Sequence, residues 1–219
     1  MPKINLMARY PKTIRDEFIN RSLVPDFEII KKAKEFGADY FDGPREMGLG
    51  GYHYDPRFFT NTVEDFARYY ELSELSSILD IGCAKGFMLH DFMLKIPGMR
   101  VAGIDISEYC LQNAISTAAP FISLGCCSNL PFKDQSFDLS ISIATIHNLP
   151  IKGVERALHE IVRVTKNNAF VKVNGYSTEA EKKRLYSWNL VAETILHQEE
   201  WLELFHKTGY VFDYDFFVP

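Results

Sequence analysis

The most constraining feature of this chain is the run Ile78-Leu-Asp-Ile-Gly-Cys-Ala-Lys-Gly-Phe87, in which a short apolar strand stops at a glycine and a helix opens at a second glycine. A strand–glycine turn–helix unit places backbone N–H groups and a helix start beside the strand's carboxyl end, and glycine lets the chain approach a ligand closely. The residues after this unit repeat the alternation. MRVAGIDIS reads as a second strand, FISLG as a third, SFDLSISIATI as a fourth and AFVKVNGY as a fifth. Residues 84–95, with Leu89, Phe92 and Met93 as the inner face, read as a helix. A second helix follows the Ser107 cap and carries Leu111, Ala114, Ile115 and Ala118. A third, Val154 to Val164, is amphipathic. Strands alternating with helices predict an α/β fold, a doubly wound and mainly parallel sheet whose ligand sits beyond the strands' carboxyl ends.

The turn does not have the form of a dinucleotide site. That site needs G-x-G-x-x-G, and Ala84 and Phe87 stand where the second and third glycines belong. Asp105 ends the second strand, placed either to hold the two hydroxyls of a ribose or to cap the next helix. His147 and Asn148 follow the fourth strand, where His147 serves either as a base toward an acceptor or as a hydrogen-bond partner of a loop carbonyl.

The chain before residue 75 is patterned differently. Asp26 to Phe36 has helical spacing, and Asn61 with Glu64 resembles a capping box opening a helix along Val63, Phe66 and Tyr70. Between them, residues 39–57 hold Gly43, Gly48, Gly50 and Gly51, which read as a mobile loop carrying Tyr52, His53, Tyr54, Asp55 and Arg57. Arg57 and the two tyrosines suit a carboxylate or phosphate, and the loop reads as a lid over the site; a hydrophobic plug under the N-terminal helices is the alternative. His53 and Asp55 are too few for a metal, and none is expected. The division read here is 1–74 for the N-terminal helices and lid and 75–219 for the core.

Composition narrows the class. The 219 residues are 47% hydrophobic, enough for a sizeable core, and the formal charge of −5 with no basic run argues against a nucleic-acid partner. No apolar stretch approaches a membrane span or a signal peptide core, and Cys83, Cys110, Cys126 and Cys127 form no disulfide or zinc pattern. The chain reads as cytoplasmic, with its oligomeric state open.

ILDIGCAKG, GIDIS, LGCCSNLPF and SFDLSISIATIHNL, in this order and spacing, resemble class I S-adenosylmethionine-dependent methyltransferases over about residues 76–175. The type is the small-molecule group that includes the quinone-biosynthesis enzymes. The GGYHYD stretch is similar to methyltransferases of bacterial surface-polysaccharide pathways. The resemblance implies a Rossmann-like methyltransferase fold with an N-terminal helical lid, S-adenosylmethionine as cofactor, and methyl transfer to oxygen or nitrogen of a small metabolite. Nucleic-acid or protein methylation, or cofactor binding without catalysis, are the alternatives. It further implies that Asp80, Gly82, Cys83 and Gly86 surround the methionine part of the cofactor. Asp105 takes the ribose and Ile106 packs on the adenine, with Ile143 beside the cofactor. Cys126 stands where the family has an acid for the adenine amine, and the backbone of Cys127 serves the ring. His147 is the expected catalytic residue, and Tyr52, His53, Tyr54, Arg57 and Asn148 the expected acceptor contacts. The C-terminus departs from the family's antiparallel hairpin. Either LVAETILH supplies a strand before the last helix, or the sheet is one strand short.

Overall fold

A computed structural model describes residues 1–11 and 27–218. The sheet is built from β1 (Ser77–Ile81), β2 (Arg100–Asp105), β3 (Ile122–Leu124), β4 (Phe137–Ile143), β5 (Thr165–Tyr176), β6 (Leu196–His197) and β7 (Asp213–Phe217). Strand order is β3-β2-β1-β4-β5, with β7 and the short β6 on successive stretches of the outer edge of β5; every pairing is parallel. Among the described residues the closing strand therefore joins directly, with no antiparallel hairpin, and the end of LVAETILH supplies β6. The order reverses between β1 and β4, which sets the ligand crevice beyond their carboxyl ends.

Side chains alternate across β1 and β4, so each face of the sheet has its own core. On one face Leu79, Ile81, Val171 and Val173 pack with α6 (Ile151–Val164) and α8 (Gln198–Lys207). On the other, Ile78, Leu139, Ile141 and Phe170 pack with α3 (Pro56–Tyr69) and α4 (Phe87–Lys95). The Phe66 ring meets Phe92 and Phe170 edge-on, an arrangement aromatic pairs prefer. Thus α3 is part of the core's second layer. What lies over the strands' ends is the segment between α1 (Phe27–Ala33) and Tyr52, including α2 (Ala38–Phe41).

Three local readings change. α3 begins at Asp55-Pro56, not at Asn61: the Asp55 carboxylate accepts from Arg57 N at 3.0 Å, with proline at the first helical position, where its missing N–H costs nothing. The helix after β2, α5 (Glu108–Gln112), stops short of Ala114, because the chain turns back and Ile115 N donates to the Lys85 carbonyl at 2.9 Å. Gly43 and Gly48 mark tight packing: a Cβ at Gly48 would fall 2.0 Å from the Tyr40 carbonyl, so the loop is folded on itself. Asp26, at the head of the expected first helix, lies outside the described residues. The charged stretch before residue 188 forms α7 (Glu179–Trp188), capped by Thr178.

Candidate active site

A cavity of about 300 Å³ opens beyond β1, β2 and β4. Its floor is the turn after β1. Gly82 has φ +83°, and a Cβ there would strike the Thr145 hydroxyl 2.0 Å away, so glycine is what lets the ends of β1 and β4 close up. Ala84 (φ 47°) and Ala144 (φ 56°), on either side of the crevice, also sit in the left-handed region, where a non-glycine residue is strained by ~1 kcal/mol or more. The strain at Ala84 is held by Asp105, whose Oδ2 accepts the Ala84 N–H at 2.7 Å while Oδ1 accepts that of Ser107 at 2.9 Å. Ser107 in turn caps α5, accepting from Cys110 N at 3.0 Å.

Burial disfavours charge on the site's acids. Burial, reinforced by the neighbouring Asp105, pushes the Asp80 carboxyl up to about 7. Asp105 is raised by burial too, against the opposing backbone hydrogen bonds. Such a buried acid pair stabilises a cation placed between or beside it. Among the described residues no group of three His, Cys, Asp or Glu side chains gathers as a metal site would, and no helix is long and apolar enough to cross a membrane.

The cavity brings together Asp80, Gly82, Cys83, Asp105, Ile106, Cys126, Cys127, Ile143, Asn148 and Tyr52. Ile106 leaves 57% of its surface uncovered, an apolar shelf at the position expected to meet adenine. The Cys126 thiol is pulled down to about 5 by hydrogen bonds with Cys127 and Ser128, against burial. The position that lacks the family's acid therefore still offers a sulfur acceptor at the cavity wall.

Five expected residues do not line the cavity. Gly86 caps α4 in the left-handed conformation (φ +77°) and packs against Ala118 and Ile122. His147 is buried outside the crevice, where its Nδ1 accepts from Asn174 N at 3.3 Å and burial lowers its pKa to about 4. Its ring packs away from the residues that line the cavity. Tyr54 donates to Asp91. His53 is exposed, and Arg57 points outward, 70% exposed and paired with Asp55 at 2.7 Å.

Sequence reasoning passed over Lys85. This lysine in the glycine turn is 4% exposed, and its ammonium donates to Asp42 Oδ2 at 2.6 Å and to the Tyr52 carbonyl at 2.9 Å. Tyr109 OH and Tyr52 N also donate to Asp42, and these bonds, opposed by partial burial, hold its carboxyl down at about 2. The Ser107 hydroxyl adds a bond to the Phe36 carbonyl at 2.6 Å. At the far flank Ile29, Ala33, Phe36 and Tyr40 pack on Leu190 and Val191, and Lys34 pairs with Glu193 at 2.8 Å. Residues 29–52 thus form a roof fastened at both flanks. The only sequence signal was a lysine among glycines.

A parallel sheet with its glycine turn after β1, an acid ending β2 and a crevice at the order reversal defines an α/β protein that binds a nucleoside-type cofactor. A family model described as a methyltransferase domain matches residues 79–172. A protein of Encephalitozoon cuniculi described as a methyltransferase is 30% identical over 154 residues, which are 62% of this chain and 70% of that one. The tRNA (carboxymethyluridine(34)-5-O)-methyltransferase of Arabidopsis thaliana is 30% identical over 129 residues, 58% of this chain but 30% of that protein. Among solved structures, the YcgJ protein of Bacillus subtilis matches with a TM-score of 0.54 at 22% identity, covering 67% of this chain and 66% of that one, a likeness of fold.

The chain belongs to the S-adenosylmethionine-dependent methyltransferases. Its cavity fits that cofactor by the chemistry of its donors: buried acids at Asp80 and Asp105, the apolar shelf of Ile106 and the thiol of Cys126.

Proposed function

We propose that this enzyme methylates an oxygen or nitrogen of a small molecule enclosed between the cofactor and the roof. The observation that supports this reading is the roof itself, fastened at Lys85–Asp42 and Ser107–Phe36 on one flank and at Lys34–Glu193 on the other. A covered site excludes water and holds the nucleophile in line with the methyl group. S-adenosylmethionine supplies an electrophilic methyl group carried on a sulfonium. In this reading Asp105 holds the ribose hydroxyls, Asp80 faces the cationic methionine end, and Ile106 and Cys126 receive the adenine. Ile143, at the end of β4, lies beside the cofactor, and Asn148 in the turn after it borders the acceptor.

The sugar- or phosphate-containing acceptor suggested by the GGYHYD stretch loses its main support, since Arg57 and His53 lie outside the cavity. Methylation of tRNA is the second reading, favoured by the similarity to the Arabidopsis enzyme; the net charge of −5 runs against it. Incubation with methyl-labelled S-adenosylmethionine and a cell extract, split into metabolite, RNA and protein fractions, tests the proposal. Label in the metabolite fraction supports it, and label confined to RNA or protein refutes it.

A further inference from the structure

Resting on the reading of a small-molecule methyltransferase, we propose that the acceptor is an uncharged, mainly apolar compound presenting one hydroxyl or N–H, such as a phenol. The walls left to meet an acceptor are mainly apolar. Phe36, Phe41 and Leu49 come from the roof and Leu149 from beyond β4, with Met7 and Phe59 closing the side toward α3.

The charges in and around the cavity are distributed to the same effect. Among the described residues that line it, the carboxyl groups are those of Asp80 and Asp105. None of the described residues that line it is a cation; of those nearby, Lys85 is buried against Asp42 and the Tyr52 carbonyl, Arg45 donates to the Gly48 and Leu49 carbonyls, and Arg57 is turned outward onto Asp55. A phosphate or carboxylate acceptor would enter an apolar enclosure beside two acids and find no cation among the described residues that line it, and burying an unpaired charge is costly. A neutral ring has no such penalty and gains from every apolar contact.

The polar tips that remain suit a neutral group. Tyr10 and Tyr52 both line the cavity, with rings fixed against Phe58 and Phe87 at 5.3 and 4.9 Å. A phenol O–H can both donate and accept, so it can pair with either role of a hydroxyl or an amide. The Asn148 amide, which donates to the Ala144 carbonyl at 3.3 Å, borders the same space.

The test is calorimetric titration of the full chain, first with S-adenosylhomocysteine alone and then, once loaded, with 2-naphthol, 2-naphthyl phosphate and glucose 1-phosphate. The expected result is that 2-naphthol binds at least roughly tenfold tighter than its phosphate ester, and that glucose 1-phosphate gives no heat. In Leu49→Lys, which sets a cation into the apolar wall, the gap between the two naphthyl probes should narrow or reverse. Equal or tighter binding of 2-naphthyl phosphate by the wild-type loaded protein overturns the proposal, as does failure of 2-naphthol to bind it. If S-adenosylhomocysteine itself does not bind, it is the cofactor reading that fails. The two failures are therefore distinguishable.

Discussion

The ammonium of Lys85 lies 2.6 Å from the carboxylate of Asp42, and this pair helps join the cofactor turn to the roof that covers it. Lys85 stands between Ala84, which binds Asp105, and Gly86, which starts α4. Any displacement of the roof is thus felt at the floor of the site.

Removing one partner should loosen the roof and leave a buried charge. Asp42→Asn is expected to lower stability by ~1–3 kcal/mol, below the full cost of breaking a buried pair because Asp42 is partly exposed. The double variant Asp42→Asn/Lys85→Met should recover much of that loss, yet release S-adenosylhomocysteine faster than wild type. Urea denaturation and stopped-flow displacement report the two effects. An unchanged release rate in the double variant argues against a fastening role.

Cofactor affinity should depend on pH through Asp80. Burial and Asp105 raise its carboxyl to about 7, so the free protein holds a proton there at lower pH, whereas the cofactor's ammonium favours the carboxylate. Affinity for S-adenosylhomocysteine should rise ~tenfold between pH 6 and 8 and level off above. Asp80→Asn should bind more weakly and lose this dependence; a dependence that survives in Asp80→Asn assigns it to another group.

Asp105→Ala should weaken cofactor binding by ~1.5–3 kcal/mol, the range of a charge-assisted hydrogen bond. Because Asp105 also restrains the strained Ala84, the thermal midpoint of the free protein should fall as well. A variant that binds poorly but melts like wild type would separate the ribose contact from the turn.

Among the four thiols, Cys126 is the one that is not buried, and hydrogen bonds from Cys127 and Ser128 lower its pKa. Iodoacetamide at neutral pH should modify Cys126 first, with a rate that changes little from pH 7 to 8, and S-adenosylhomocysteine should protect it. Cys126→Asp, which restores the family's acid, should bind the cofactor as well as wild type or better. Peptide mass mapping and calorimetry decide these points. A large loss in Cys126→Asp would place the adenine elsewhere.

His147 makes stability sensitive to mild acid. Its folded pKa of about 4 lies below the ordinary 6.5, so the unfolded chain takes up the proton first. The stabilisation is present above pH 6.5 and is lost as pH falls toward 4, about 2 kcal/mol of it between pH 7 and 5. His147→Asn should flatten that part of the profile in urea titrations. If instead the variant keeps its stability but loses turnover with a hydroxyl acceptor, the ring reaches the reaction after all.

The sheet and the strand ends that line the cavity were legible because they are local. Each of Asp80, Gly82, Asp105 and Ile143 sits at a strand end that hydrophobic periodicity alone can find. The acceptor half was not. Arg57 and Tyr54 share a loop with Tyr52, but Asp55 takes up Arg57 as α3 begins, and Asp91, from another helix, takes up Tyr54. Lys85 gained its role only through Asp42, 43 residues earlier, and no spacing rule reports such a pair. His147 shows the converse. Its position after β4 was right, but the direction of its ring was set by Asn174 on the neighbouring strand.

Beyond β7 the sheet continues, since Ile4 N donates to the Tyr214 carbonyl at 2.9 Å and Tyr214 N to that of Pro2 at 3.2 Å. On the ribosome this seam forms late. Residues 2–4 emerge before the sheet does but must stay unpaired until Tyr214 has been synthesised, while β1 to β5 can already assemble around β4. An edge left waiting that long is a hazard for sticking to neighbouring chains. The period of greatest risk for this protein is therefore late in translation, before residue 214 reaches its partner.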